Sequence, residues 1–555
     1  MNLRLFTRTR GVTHVLRLAL FALFLCTARY AVEATRDATL SVRILDAATN
    51  RGTPVRVHLA DASGLTPKVT GALPVSESAI GIPKAAIPAM YGRSDHAAGY
   101  LLQPDGSFYV DGSFEATLPP GEYTLTLSKG PEYVSQTLTL HLAAGQQVKR
   151  SYRLERWINM PARGWYSADD HIHLRRSPAD NANILRWLAA EDIHVGNLLQ
   201  MGDFWQTYFS QYGFGKQGRY QEQDYVLSPG QEDPRTPEIG HTISLGADAF
   251  ARLASDYYSF DRLFDLVHQL RGITGFAHQG VTFHAYRGMT LNVLRGKVDF
   301  LEVMQFCVQQ GPLVVDHYYH FLDMGYKLTA LAGSDFPWCG LGPLWGRPQE
   351  IPQIGNARFY TYAGKPFSFE SWREAVKAGH TFTTTGPMLE LAVNNQLPGD
   401  TVNVASGARI HISAKAYGHS SQVSLRELEI VVHGEVVKKV TAGEAGQSSA
   451  ALALALDLPV EHGIWVAARA KAADTQLAHT TPVYVTVNGG SFENPKTVNG
   501  YLDRSREYLV EVEQELQHPG TSLDSQASRH QKNLERQIAE TREALKTLES
   551  RLKRN

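Results

Sequence analysis

The period of the apolar residues changes twice along this chain, and that change limits what it can fold into. From 38 to 155, as in Ala38-Thr-Leu-Ser-Val-Arg-Ile-Leu and Tyr133-Val-Ser-Gln-Thr-Leu-Thr-Leu, apolar and polar residues alternate with a period of two. This reads as a β-sandwich, with a less regular stretch of long loops from about 64 to 112. From 160 to 390 the pattern alternates strands with helices. Helical spacing runs over Ala182 to Glu191 and Tyr258 to Arg271, and strand-like runs begin at His194, Ile273, Phe300 and Leu328. Such alternation predicts an α/β barrel. Residues 204 to 238 read as a long aromatic, polar insertion over the barrel mouth. From 391 to 490 the period of two returns, predicting a second sandwich. The tail, 495–555, is helical, with Leu534, Ile538, Thr541, Leu545, Leu548 and Leu552 on one seam. That seam suits a helical hairpin packed on its own chain or, second to it, a homo-oligomer contact. The expected fold class is multidomain α/β plus all-β: a central distorted (β/α) barrel, two flanking β-sandwiches and a C-terminal helical hairpin.

A chain of 555 residues is too long for one core. Charged residues make up 20% and the formal net charge is −1, so nothing suggests nucleic acid or an anionic membrane as a partner. Residues 1–34 read as a secretory signal peptide: Arg4, Arg8, Arg10 and Arg17 precede the short apolar run Leu18 to Ala28. A periplasmic or secreted protein, with no stable membrane span once the leader is cleaved, is the expectation. Cys26 lies in the leader, and Cys307 and Cys339 alone do not make a disulfide framework.

The chemistry concentrates in Asp169-Asp170-His171-Ile172-His173, at the end of a strand-like run. Alternation puts His171, His173 and Asp169 on one face. Two imidazoles beside a carboxylate suit zinc, manganese or iron. Four further residues join them downstream: Glu232, His241, His278 and Asp335. His278 and Asp335 close apolar runs and His241 opens one. Ligands at successive strand ends meet at one face of a barrel. His284, His317 and His320, near the same motifs, read as surface or helix residues.

With these residues in place, the segment 160–400 resembles the PHP (polymerase and histidinol phosphatase) metallohydrolases, and within them the secreted CehA/McbA branch. The resemblance rests on Gly164-Trp-Tyr-Ser-Ala-Asp-Asp-His-Ile-His, Pro229-Gly-Gln-Glu with Gly240-His, the His278 strand end, Gly333-Ser-Asp335 and Thr383-Thr-Thr-Gly-Pro387. It implies that His171, His173 and Asp335 bind one metal, and that Glu232 bridges to a second held by His241 and His278. The three-metal pattern of the family also has an Asp-His pair after the second strand and a His two residues past the final Asp. This chain instead has Leu199-Gln-Met-Gly-Asp203 and Phe336-Pro337. Two divalent ions, or one, are therefore expected rather than three.

Such ions activate water for attack on a carbonyl or phosphoryl centre. Asp335 is expected both to bind metal and to accept the water's proton, and Asp169 to orient a ligand or bind directly. For a small-molecule substrate, aromatic loops (Trp165, Trp205, Tyr208, Phe209, Trp338, Trp345) suit an ester, carbamate or amide. Arg175, Arg176, Arg347 and Arg358 leave a phosphoester open. A third reading is a degenerate barrel that serves as a binding or scaffold module.

Overall fold

The computed structural model describes residues 36–554 apart from 76, 82–87, 89–91, 102, 104, 279–283, 306–312, 338–352, 445 and 519–525. The expected leader, the three cysteines, Trp338, Trp345, Arg347 and the Pro519-Gly520 break lie outside the described residues. The protein is mixed α/β, with extensive sheet, a mixed sheet that closes on itself and long C-terminal helices.

The alternation at the N-terminus does produce strands. In Ala38–Asp46, residues Ala38, Leu40, Val42 and Ile44 are buried, while the residues between them are more exposed. Seven strands from Ala38 to Leu154 form one hydrogen-bonded sheet, in which Ala38–Asp46 runs antiparallel to Phe108–Leu118 and parallel to Gln147–Leu154. Their inward apolar side chains make one cluster.

In the central region, Trp165–Ile172 lies parallel to Val195–Gly202, which lies parallel to Tyr225–Glu232. Next come Gly240–Leu245, antiparallel to both its neighbours, then Ile273–Phe276, Phe300–Met304 and Thr329–Ala332 in parallel. A bridge from Phe336 back to Ile172 closes the ring. Its strands are buried along nearly their whole length, as in all eight residues of Trp165–Ile172. Helices Asn181–Ala190 and Phe260–Gln269 stand where the spacing placed them, within two residues at each end. In the latter, Phe260, Leu263, Phe264 and Val267 fall at three- and four-residue steps and face the core.

Three features differ from the sequence reading. First, the stretch 204–238 is not all insertion, because Tyr225–Glu232 is a barrel strand; the Pro229-Gly230 pair inside it disguised the run. Second, the barrel is not uniformly parallel. Only seven residues separate Glu232 from Gly240, too few for a crossover helix, so these strands must run antiparallel. Third, hydrogen bonding does not stop at 390. Thr381–Thr384 pairs with both Arg358–Tyr362 and Gln476–Thr480, so the closed sheet continues into the C-terminal strands. Met388–Val393, Ala408–Tyr417 and Ala451–Val460 form a separate three-stranded sheet. The core between includes Trp165, Tyr360 and Phe382 from the barrel side as well as Leu389, Ile412 and Val466.

The tail forms helices Val498–Gln517 and Gln531–Leu552. Leu534, Ile538, Leu545 and Leu548 are buried in the barrel's own apolar cluster, and Thr541 between them is buried too. Arg536 pairs with Asp261 at 2.7 Å, and Gln537 Nε2 donates to the Tyr258 carbonyl at 2.8 Å. The seam thus packs on its own chain, the first of the two uses expected of it. No helix among the described residues is long and apolar enough to cross a membrane.

Candidate metal centre

The six expected ligands come together. His171 and His173 are fully buried, and Glu232, His241, His278 and Asp335 are 1 to 8% exposed. They arrive from four strand ends and one strand start. His278 and Asp335 sit just past their strands in left-handed conformations, with φ of 55° and 50°. That region is uncommon outside glycine, and here it turns each side chain back toward the centre.

The tightest grouping joins His171 Nε2, His173 Nε2, Glu232 Oε2 and Asp335 Oδ1. The two imidazole nitrogens are 3.1 Å apart. Asp335 Oδ1 is 3.4 Å from His171 and 3.2 Å from His173, and Glu232 Oε2 is 3.7 and 3.3 Å from them. A tetrahedron with zinc-like bonds of about 2.0–2.1 Å has edges of roughly 3.3 Å. The two histidine nitrogens are therefore spaced from one another and from each carboxylate oxygen as a single ion requires. Two further groups overlap with it, one of His171, His278 and Asp335 and one of Glu232, His241 and His278. Glu232 Oε1 is 2.9 Å from His241 Nδ1 and 3.1 Å from Arg235 Nε, yet is aligned with neither as a hydrogen bond. His278 Nε2 is 3.9 Å from Glu232 and 4.0 Å from Asp335.

The electrostatics call for a cation. Burial alone would lower the His171 pKa, yet Asp335 and Glu302 drive it well above its ordinary value. His173 is raised against its burial in the same way, by Asp335 and Glu232. Burial would raise Asp335, but His171 and His173 hold it low. Glu232 is drawn well below its usual value, against burial, by Arg235 and His241. His241 is depressed to about 3 by burial and then by Arg235, so it stays neutral, as a metal ligand must. Carboxylates that pull protons onto neighbouring imidazoles in a dry site are what a divalent ion would satisfy. The donor set fits one.

Two supporting residues escaped the sequence reading. Glu302 Oε1 accepts from His171 Nδ1 at 3.0 Å, and its Oε2 accepts from the His278 amide at 3.1 Å. Gln305 Oε1 is 2.6 Å from His278 Nδ1. Each leaves Nε2 of its histidine toward the centre. The signal for Glu302 was present, as an acid inside the apolar run Phe300–Met304, because a buried carboxylate needs a partner. Arg235 was also missed.

Asp169 does not face the donors, contrary to simple alternation. The pairing of its strand with Val195–Gly202 shifts register between Asp169 and Ile172. Its Oδ1 accepts the amides of His171 and Ser334, and its Oδ2 the amide of Gly355. These bonds tie the His171 strand to the loop that carries Asp335. That loop packs so closely that a Cβ on Gly333 would lie 2.4 Å from His171 Cβ.

Asp203 holds the turn after its strand, accepting the Trp205 and Gln206 amides. His317 and His320 stack on Tyr286 and Tyr501, and His284 Nδ1 bonds the Pro237 carbonyl, all apart from the donor set. Of the arginines expected near the site, Arg176 bonds Gln211, Asn181 and the Gly218 carbonyl, Arg358 bonds the Gly355 and Glu191 carbonyls, and Arg175 is exposed. Phe209 packs on the His173 ring at 5.4 Å, whereas Trp205 is 59% exposed.

No family model matches this chain, and no curated protein matches it. Among solved structures, it is similar to an engineered protein at 9% identity, over 62% of this chain and 66%, just under two thirds, of that one. The TM-score of 0.15 is too low for that likeness to bear on the fold or the site.

Proposed function

We propose that this chain is a metal-dependent hydrolase of the PHP type, acting outside the cytoplasm on an ester, carbamate or amide bond. The observation that carries the proposal is the convergence of His171, His173, Glu232 and Asp335 in a buried cluster, with the imidazole nitrogens 3.1 Å apart and 3.2 to 3.7 Å from the carboxylate oxygens. Flanking β-sandwiches would brace the barrel.

His171, His173, Glu232 and Asp335 would hold a zinc, manganese or iron ion, which would supply Lewis acidity and activate water for attack. The protein's own residues do the rest. Glu302 and Gln305 fix the imidazoles of His171 and His278 so that Nε2 faces the donors. Asp335, the most exposed of the six, offers Oδ1 to the histidine pair and keeps Oδ2 on the His278 side. That second oxygen is placed to take the proton from the attacking water. The Phe209 ring keeps solvent from His173.

Preference for a carbonyl over a phosphoryl centre is supported by Arg176 and Arg358, whose guanidinium groups are engaged by protein oxygens. A phosphate site would call for free, convergent cations. The test is metal content per chain by plasma mass spectrometry, with a His171→Ala/His173→Ala control, followed by hydrolysis of an aryl acetate, an aryl carbamate and an aryl phosphate. Metal that disappears in the control and turnover of acetate or carbamate are expected. Turnover of phosphate alone would move the reading to a phosphoesterase. A metal-free wild type after reconstitution would leave a binding or scaffold module.

A further inference from the structure

We infer that Arg235 takes the place of a second metal ion, so that the centre binds one ion tightly rather than two. This rests on the reading of the cluster as a metal centre and settles a question that reading leaves open, its stoichiometry.

The two donor groups that share Glu232 differ in what already faces them. In the first, the two imidazole nitrogens lie 3.1 Å apart and 3.2 to 3.7 Å from the carboxylate oxygens, and no lysine or arginine among the described residues is paired with Asp335. In the second, Arg235 Nε lies 3.1 Å from Glu232 Oε1 and donates to His241 Nδ1 at 3.4 Å. Those are two of the three donor atoms that an ion in this group would need. The third, His278 Nε2, stands back at 3.9 Å from Glu232.

The position of Arg235 is set by the backbone. Arg235–Thr236 is a two-residue strand antiparallel to Gly240–Leu245, in a register that puts Arg235 directly opposite His241. Cross-strand partners of this kind have adjacent side chains. The Arg235 amide donates to Tyr257 Oη at 3.1 Å, which holds the strand against the barrel. A guanidinium keeps its charge at any working pH and has no lone pair to offer a metal. It therefore neutralises Glu232 Oε1 as an ion would, and a divalent cation in the same place would meet both its charge and its N–H. Glu232 would then face Arg235 with Oε1 and keep Oε2, on the histidine side, for an ion.

Stoichiometry tests this directly, with Zn²⁺ or Mn²⁺ as the probe. Metal is counted by plasma mass spectrometry and by calorimetric titration of the chelator-stripped full chain. One equivalent is expected for the wild type, one for His241→Ala, and two for Arg235→Met, the second weaker than the first. Two equivalents in the wild type that fall to one in His241→Ala would overturn the inference, and that comparison stands even if Arg235→Met does not fold. A folded Arg235→Met that stays at one equivalent would also overturn it. Absence of metal from the wild type would instead defeat the underlying metal-centre reading.

Discussion

Glu302 Oε1 lies 3.0 Å from His171 Nδ1, and the two side chains, 131 residues apart in sequence, are both buried. The carboxylate sets which nitrogen of His171 carries the proton and which faces the donors. Such an outer partner typically contributes about 10- to 100-fold in metal affinity. Glu302→Gln, which removes the charge and keeps the shape, is expected to weaken metal binding by about that factor. Competition with a fluorescent chelator measures it. Unchanged affinity with a lowered melting temperature would mean that Glu302 only braces the barrel.

Adjacent aspartates are expected to behave oppositely. Asp169 serves three backbone amides, and an amide in its place must turn an N–H toward at least one of them. Asp169→Asn should cost about 1–3 kcal/mol. Neither oxygen of Asp170 has a hydrogen-bond partner among the described residues, and burial, then Glu302, raises its pKa well above the usual range. A carboxyl already protonated loses little as an amide, so Asp170→Asn should stay within about 0.5 kcal/mol of wild type. Urea unfolding of the two variants checks the contrast, and equal losses would refute it.

Acid should destabilise the protein through histidines remote from the centre. Burial depresses His194 to about 4 and His320 and His479 to about 3. The unfolded chain, with histidines near 6.5, binds the extra protons. The contribution of these groups is therefore present above about pH 6.5 and is lost as pH falls toward 4, by about 2 kcal/mol per histidine at pH 5. Scanning calorimetry of metal-free protein between pH 7.5 and 5 should show the fall. A His479→Gln variant should have the shallower slope, and parallel slopes would rule out this assignment.

Ile538 reports on the tail. It is 2% exposed in the apolar cluster that also holds barrel residues. Ile538→Asp buries an unpaired carboxylate and should destabilise the whole chain by about 3–5 kcal/mol. If the seam instead joined two copies, light scattering would show dimer lost to monomer with little change in melting temperature.

The local pattern foretold much of the fold. Alternation in Ala38–Asp46 and three- and four-residue spacing in Phe260–Gln269 are consequences of side-chain direction, so they survive in any packing. The Glu232 strand was misread because Pro229-Gly230 resembles a turn, and only its place between two strands makes it a strand. Sheet continuity across residue 390 was hidden too, since Phe382 pairs with Thr480, nearly a hundred residues away.

The site divides along the same line. Sequence alone determined the donor chemistry: His171, His173, Glu232, His241, His278 and Asp335 are the residue types a divalent ion takes, at the ends of runs that become strands. Tertiary structure decided their arrangement and their supports. Register turned Asp169 away to its amides and set Arg235 opposite His241, and burial brought Glu302 to His171. The physical reason is that residue type fixes what an atom can bind, whereas which atoms meet depends on strand register and on contacts between distant parts of the chain.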